Sequence, residues 1–360
     1  MRLPSLDDLI AEQKIVHEAP CDISMFILGP PGSGKTSLAV FKLKQLAEQK
    51  KSCLLITKNR LLASLASQLG STRVMTMHAY FSSEYWKRFR VNAPEPVRFQ
   101  YDWHTIMDSY AQRDVKPVLD HMVIDEGQNL PPGFFAWAVR FGAHSVTVFA
   151  DEDQTTDGQR SSIKDILKAP LPDPIRLTVN HRNTREIAAL AEHFHKSNTL
   201  PAAVVRRPRS GEIPKIESFT KWDDVIPTIV NRLKNRGGSV GVIAYPITQV
   251  ERIHSLLKAT LPGVRVDLYT SATKKGDELK IHPLEDGITV LTGESAIGLE
   301  FDTVYLQDLS RSLPAVSDDQ FRLLYMLCAR ARDSLTLLDG HRPLTTQQLS
   351  SFPDSTLLKR

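Results

Sequence analysis

Met25-Phe26-Ile27-Leu28-Gly29-Pro30-Pro31-Gly32-Ser33-Gly34-Lys35-Thr36 is an apolar run opening into Gly-x-x-x-x-Gly-Lys-Thr, and a helical pattern follows from Ser37 to Gln49. Strand, glycine-rich loop and helix in that order make a phosphate cradle. The glycines let backbone N–H groups turn towards phosphate oxygens, and a helix N-terminus favours the anion. In this reading Gly29, Pro30, Gly32, Ser33, Gly34, Lys35, Thr36 and Ser37 surround a nucleotide. Lys35 reaches its outer phosphates, and the Thr36 hydroxyl holds Mg²⁺. The loop alone does not separate a kinase from a switch or a motor.

A chain of 360 residues, 41% of them hydrophobic, is long enough for two domains with separate cores. Its 45 Lys and Arg against 41 Asp and Glu leave a net charge of +4, which permits a nucleic-acid partner without demanding one. Cys21, Cys53 and Cys328 are scattered and odd in number, so they suggest neither a disulfide framework nor a metal site. No secretory pattern stands at the start, which carries Asp7 and Asp8, and no apolar run is long enough to cross a bilayer. The expected setting is the cytoplasm, away from membranes.

Upstream of the loop, Leu6 to Val16 reads as a helix bearing Gln13. A carboxamide matches the donor and acceptor at the adenine edge, so Gln13 could select ATP, although on these residues alone a solvated helix glutamine is the more ordinary reading. Downstream, Ser52 to Thr57 is a strand, Leu61 to Leu69 a helix, and Arg73 to Met77 a third strand ending in Thr76-Met77-His78. Strand ends at the carboxyl edge of a parallel sheet are where ligands sit, which marks Thr57, Thr76 and His78, although lone residues of these types are ordinarily structural. From Phe81 to Val118 the periodicity lapses, and Trp86, Tyr101 and Trp103 are spread among Lys87, Arg88, Arg90 and Arg98. Such a stretch is either a base-stacking surface or a small accessory subdomain with its own core.

His121-Met122-Val123-Ile124-Asp125-Glu126 is an apolar strand ending in two carboxylates. Beside a P-loop, Asp125 would serve the metal and Glu126 the attacking water. A further strand, Ser145 to Ala150, delivers Asp151-Glu152-Asp153-Gln154 to the same edge, where Gln154 could sense the γ-phosphate.

The set of motifs resembles the UvrD-like group of superfamily 1 helicases. Asp125-Glu126-Gly127-Gln128 resembles that group's Asp-Glu-Ala-Gln, and Ala150-Asp151-Glu152-Asp153-Gln154 its Gly-Asp-x-x-Gln. Leu177-Thr178-Val179-Asn180-His181-Arg182-Asn183-Thr184, the block Ser295-Ala296-Ile297-Gly298-Leu299-Glu300-Phe301, and Leu324-Tyr325-Met326-Leu327-Cys328-Ala329-Arg330-Ala331 follow in the group's order. The resemblance implies Gln13 as the adenine reader, Arg182 and Arg330 as cations for the γ-phosphate, and Glu300 near the nucleotide. It also implies ATP, with Mg²⁺, between two domains that its hydrolysis moves. It implies a single-stranded nucleic-acid partner, DNA ahead of RNA, at Thr57, Thr76, His78 and Arg160.

The second half alternates strands (Ser239 to Tyr245, Arg265 to Tyr269, Thr289 to Thr292, Thr303 to Asp308) with helices (Arg182 to Lys196, Lys221 to Asn235, Thr248 to Leu257). The expected fold is therefore α/β, with two RecA-like P-loop domains, each a parallel sheet flanked by helices. The expected boundaries are 1–175, with a small insertion at about 80–118, then 176–345 and a tail at 346–360. His193 and His195, two apart on a helix, face different ways and make poor metal ligands.

Two departures from the group bear on function. Thr155-Thr156-Asp157-Gly158-Gln159-Arg160 stands where relatives carry a base-stacking aromatic, and Glu294 and Ile297 replace a His and a Lys on a surface expected to face phosphates. The chain is also close to a bare two-domain core. The function expected is an ATPase stimulated by nucleic acid that translocates on or unwinds DNA. The alternative is an ATP-driven switch that regulates a partner protein such as a nuclease.

Overall fold

The first sheet forms around Met25–Leu28 (β1), whose four residues are all buried. In the computed structural model, residues 5–58, 60–70, 73–151, 161–195, 204–206, 210–307, 309, 313–339 and 344–360 are described. The helix Ala11–Glu18 (α1) precedes β1, and Lys35–Glu48 (α2) follows the loop. Then come Cys53–Thr57 (β2), Arg60–Gly70 (α3), Val74–Thr76 (β3), Met77–Phe89 (α4) and Trp103–Gln112 (α5). Leu119–Ile124 (β4), Pro132–Trp137 (α6), Ala143–Ala150 (β5), Ile163–Ile166 (α7) and Ile175–Arg176 (β6) complete this unit.

The strand order is β3-β2-β4-β5-β1-β6, and every pairing is parallel. A parallel sheet is covered by helices on its faces, so its strands read as continuous apolar runs. Leu38, Ala39, Leu43 and Leu46 of α2 pack with Ile27, Leu55, Val123 and Phe149 in one buried cluster. Lys42 points from the same helix into the interior and is 1% exposed. It is tolerated because its ammonium donates to the carbonyls of Ala19 (2.7 Å) and Pro20 (3.0 Å). Burial, partly offset by Cys21 and Asp22, lowers its pKa.

The stretch whose periodicity lapses is helical over α4 and α5. Phe81, Tyr85, Tyr101, Trp103, Tyr110 and Trp137 make a continuous set of ring contacts with centroids 4.9 to 6.0 Å apart. Aromatic side chains are long enough to reach this cluster from several helical positions, which blurs a simple apolar stripe. Gly133 permits the approach of Trp103, since a Cβ there would fall 2.2 Å from the indole.

The second unit begins at Val179, where the first ends at Thr178. Val179–Asn180 (β7) leads to Arg185–His193 (α8), and Val204–Val205 (β8) pairs with β7. The main sheet is built from Lys215–Ser218 (β9), Ser239–Ala244 (β10), Val266–Tyr269 (β11), Gly287–Thr292 (β12), Phe301–Leu306 (β13) and Ala331–Asp339 (β14). Its order is β11-β12-β10-β13-β14-β9, again all parallel. Trp222–Arg236 (α9), Ile247–Thr260 (α10), Asp318–Cys328 (α11) and Thr346–Leu349 (α12) accompany it. Ile229, Val242, Ile253, Leu257 and Val290 lie in its core. The last residues pack into this unit: Leu358 is fully buried, and Lys359 exchanges backbone hydrogen bonds with Pro214 and Ile216 beside β9. Both units are α/β, with the parallel, helix-flanked sheets of RecA-like domains.

Candidate nucleotide site

The loop after β1 is closed by its own groups. Gly29 N donates to Ala150 O (3.3 Å), and both the N–H and hydroxyl of Ser33 donate to Pro30 O (3.3 and 2.9 Å). Gly34 then adopts φ 87°, and α2 starts at Lys35, two residues before the helical pattern alone places it. A side chain at Gly34 would be strained by that φ and would meet the Gln13 amide nitrogen at 2.8 Å. Lys35 donates to the carbonyls of Gly29 (2.6 Å) and Pro30 (2.9 Å) and stands 3.5 Å from the Asp151 carboxylate. Ser33, Lys35, Thr36 and Ser37 are all buried, and Gly32 is half-buried beside them.

Gln13 is 6% exposed, which excludes the solvated reading. Its carbonyl oxygen accepts from Ile10 N (3.2 Å), and its amide donates to Ser33 O (3.0 Å). The neighbouring Glu12 carboxylate accepts from the Thr178 backbone (2.9 and 3.0 Å) and hydroxyl (2.9 Å), which ties α1 to the segment beyond β6. One carboxamide proton and one lone pair of Gln13 remain for a ligand.

Asp125 and Glu126 differ sharply in their surroundings. Asp125 is 1% exposed, and neither carboxylate oxygen has a hydrogen-bond partner. Burial, reinforced by the adjacent Glu126 charge, pushes its pKa up to about 7, against the pull of the nearby Thr36 hydroxyl and Lys35 ammonium. Glu126 sits in a left-handed backbone conformation, φ 56°, and accepts from Gln128 (2.6 Å) and Asn129 (3.3 Å). Gln128 also accepts from Asp151 N (3.0 Å), so it links the ends of β4 and β5. That link was not singled out from the sequence, where Gln128 appears only within a motif. Two unpartnered oxygens beside a threonine hydroxyl suit a hard divalent cation such as Mg²⁺, so Asp125 and Thr36 fit the metal.

In the second unit, Asn180 accepts from the backbone of Arg182 (2.9 Å) and Asn183 (3.1 Å). Asn183 in turn donates to the carbonyls of Ala329 (3.2 Å) and Ala331. The turn bearing Arg182 is thereby fastened to the segment bearing Arg330. Helix α8 begins only at Arg185, because Thr184 caps it by accepting from Ile187 N (3.4 Å). Arg182 pairs with Glu300 at 2.6 Å. Burial alone would raise the Glu300 pKa, but the Arg182 and Arg332 guanidinium groups outweigh it and hold the carboxyl low. Arg330 is 1% exposed and donates to Met326 O (2.9 Å) and Leu299 O (3.1 Å). Ile297 is likewise 1% exposed, which corrects the expectation that its position faces phosphates: an isoleucine there packs inwards, while Glu294 is exposed.

The described candidates for strand contact lie close together, since Thr57 and Thr76 are register partners at the ends of β2 and β3 and His78 follows two residues later. Thr57 is 1% exposed with its hydroxyl unpaired. Thr76 caps α4, accepting from Ala79 N (3.4 Å), so His78 stands on a helix and not on a strand end. His78 is half-buried between the rings of Phe99 (4.9 Å) and Tyr101 (5.4 Å), and burial lowers its pKa. Gln154 and Arg160 lie outside the described residues. Among the described residues, no group of three or more His, Cys, Asp or Glu could hold a metal, and no helix is long and apolar enough to cross a membrane.

Residues 12–159 match a family described as an AAA domain. No curated protein matches the chain. The C-terminal domain of a possible DNA helicase from Lactobacillus plantarum WCFS1 is similar over 50% of this chain and 98% of its own, at 21% identity and a TM-score of 0.36. The PRRSV helicase is similar over 94% of this chain, at 14% identity and a TM-score of 0.45; the chain spans 56% of that helicase. At these scores the fold rests on the two sheets themselves. The AAA-domain match covers the P-loop side of the chain, and the motif order that continues through the second sheet resembles that of superfamily 1 helicases.

Proposed function

We propose that the chain hydrolyses ATP in response to single-stranded nucleic acid, DNA ahead of RNA, and uses the hydrolysis to move along or unwind it. The observation that carries this reading is the buried, unpartnered Asp125 carboxylate facing a P-loop whose lysine rests on loop carbonyls. A phosphate would replace those carbonyls as the lysine's partner, at little cost in hydrogen bonds. Asp125 and Thr36 would hold Mg²⁺, which when bound screens the phosphate charge. Glu126, oriented by Gln128 and Asn129, orders and deprotonates the attacking water. Gln13 reads the adenine, and Arg182 meets the charge that grows on the γ-phosphoryl oxygens. Glu300 would release Arg182 for that role. Arg330 would have to abandon two backbone carbonyls to take it, so Arg182 is the stronger assignment.

Steady-state hydrolysis with and without single-stranded DNA and RNA tests the reading. Stimulation that fades with added salt is expected, because strand binding releases counterions. Glu126→Gln keeps an acceptor for Gln128 and should lower turnover about 10²- to 10⁴-fold while nucleotide still binds. Undiminished hydrolysis by that variant would falsify the assignment of Glu126. The second reading, a switch acting on a partner protein, is favoured by the absence of an aromatic from Thr155 to Arg160. Basal hydrolysis that no strand stimulates would select it.

A further inference from the structure

Phe99 combines three features that an ordinary surface residue does not. Its φ is 69°, in the left-handed region that bulky side chains avoid. Its side chain is among the exposed large apolar groups, at 57%. The Arg98 guanidinium lies 4.9 Å from its ring centroid. The loop is built to keep this conformation. Gln100 N donates to Val97 O (2.8 Å), Asp102 N to Pro94 O (2.9 Å), and Phe99 N to the Glu95 carboxylate.

The ring also has rigid backing. His78 stands 4.9 Å from it, Tyr101 is 5.4 Å from His78, and the Tyr101 hydroxyl bonds that of Ser82 at 2.6 Å. Tyr101 and Phe81 then continue this line of ring contacts, edge to face, to the fully buried Trp137. Because α4 starts directly after β3, His78 holds this group of rings at the carboxyl edge of the first sheet, where ligands of open α/β sheets bind. The same helix carries a second exposed pair of this kind, Trp86 with Arg90 at 4.9 Å. Trp103, by contrast, is half-buried and packed against Gly133. Flat rings with displaceable cations over them suit a polyanion that carries its own flat rings.

We propose that Phe99 is a stacking platform for a base of single-stranded nucleic acid, with Arg98 covering the ring until the strand arrives and then turning to a phosphate. This rests on the proposed function and supplies the aromatic contact that the Thr155 to Arg160 stretch lacks in sequence.

Fluorescence anisotropy of the full chain with labelled oligo(dT) and with an abasic strand of equal length tests it, since only stacking needs bases. Wild type should prefer oligo(dT). Phe99→Ala should weaken oligo(dT) binding roughly 5- to 150-fold, leave abasic binding in place, and keep strand-free ATP hydrolysis and melting temperature unchanged. Phe99→Trp should restore the preference. Arg98→Ala should reduce the slope of log affinity against log salt by about 0.7 and retain the preference for bases. Phe99→Ala binding oligo(dT) like wild type, or losing both strands equally, overturns the platform alone. A wild type that binds neither strand overturns the platform together with the function on which it rests.

Discussion

At the end of β4 the Asp125 carboxylate is buried with both oxygens unpartnered, whereas Arg330, buried as deeply in the second unit, donates to two backbone carbonyls. Leaving an isolated charge in a protein interior costs several kcal/mol, so Asp125 either takes up a proton near neutrality or waits for a cation. Arg330 needs neither. Arg182 lies between these extremes, paired with one carboxylate that can be exchanged. Residues that share a motif-level reading thus divide by what already satisfies them. Ligand-seeking groups concentrate around the P-loop, and structural ones in the second unit.

The largest effect should come from Lys35→Ala. It removes the only described ammonium resting on the loop carbonyls, and turnover should fall below detection while the second unit melts as before. Retained hydrolysis would place the chemistry somewhere other than this loop. Next, Arg182→Ala should cost about 10³-fold in turnover if its guanidinium meets the γ-phosphoryl charge. A variant that loses stability but no turnover would move Arg182 to the structural side of the comparison.

Arg330→Ala sharpens the contrast from the opposite direction. It strands two carbonyls and opens a cavity, so the expected loss is about 3 to 5 kcal/mol, seen as a drop of roughly 10 °C in the melting of the second unit. Unchanged melting combined with abolished hydrolysis would make Arg330 a catalytic cation after all.

The sequence carried the site unevenly, for physical reasons. The P-loop and the Asp125-Glu126 strand end are legible because phosphate and metal chemistry fix residue type and spacing within a few positions. Helices α4 and α5 are not, because Phe81, Tyr85 and Tyr110 reach a shared aromatic core from positions that do not form a narrow stripe. Gln13 was ambiguous because a carboxamide reads alike in solvent and against Ser33 O, and only the fold brings Ser33 there. Ile297 misled in the same way. Its apolar type already indicated burial, but the motif around it suggested a ligand-facing surface. What sequence lacks is the identity of the neighbour across the sheet edge, as with Gln128 between Glu126 and Asp151.

The smallest expected effect probes the first unit near the start of β4, at the other end of that strand from Asp125. His121, fully buried on β4, lies 2.9 Å from Cys21 O through Nδ1 and 2.8 Å from the Thr147 hydroxyl through Nε2. A carbonyl only accepts, so Nδ1 carries the proton and Nε2 accepts from Thr147; the ring is neutral. Burial lowers its pKa to about 4, with the Cys21 carbonyl opposing and the Lys42 charge adding to the shift. The unfolded chain, at the ordinary value near 6.5, therefore binds the proton first as pH falls. The His121 contribution is complete above pH 6.5 and declines towards pH 4, by at most about 3 kcal/mol. Calorimetry of wild type against His121→Phe across that window isolates this contribution from the carboxylates, which the two proteins share. The difference should follow the first unit's transition and leave the second unit's in place. A pH-independent difference would mean that His121 is accommodated in its protonated form, and that the first unit tolerates a buried cation as readily as the second tolerates Arg330.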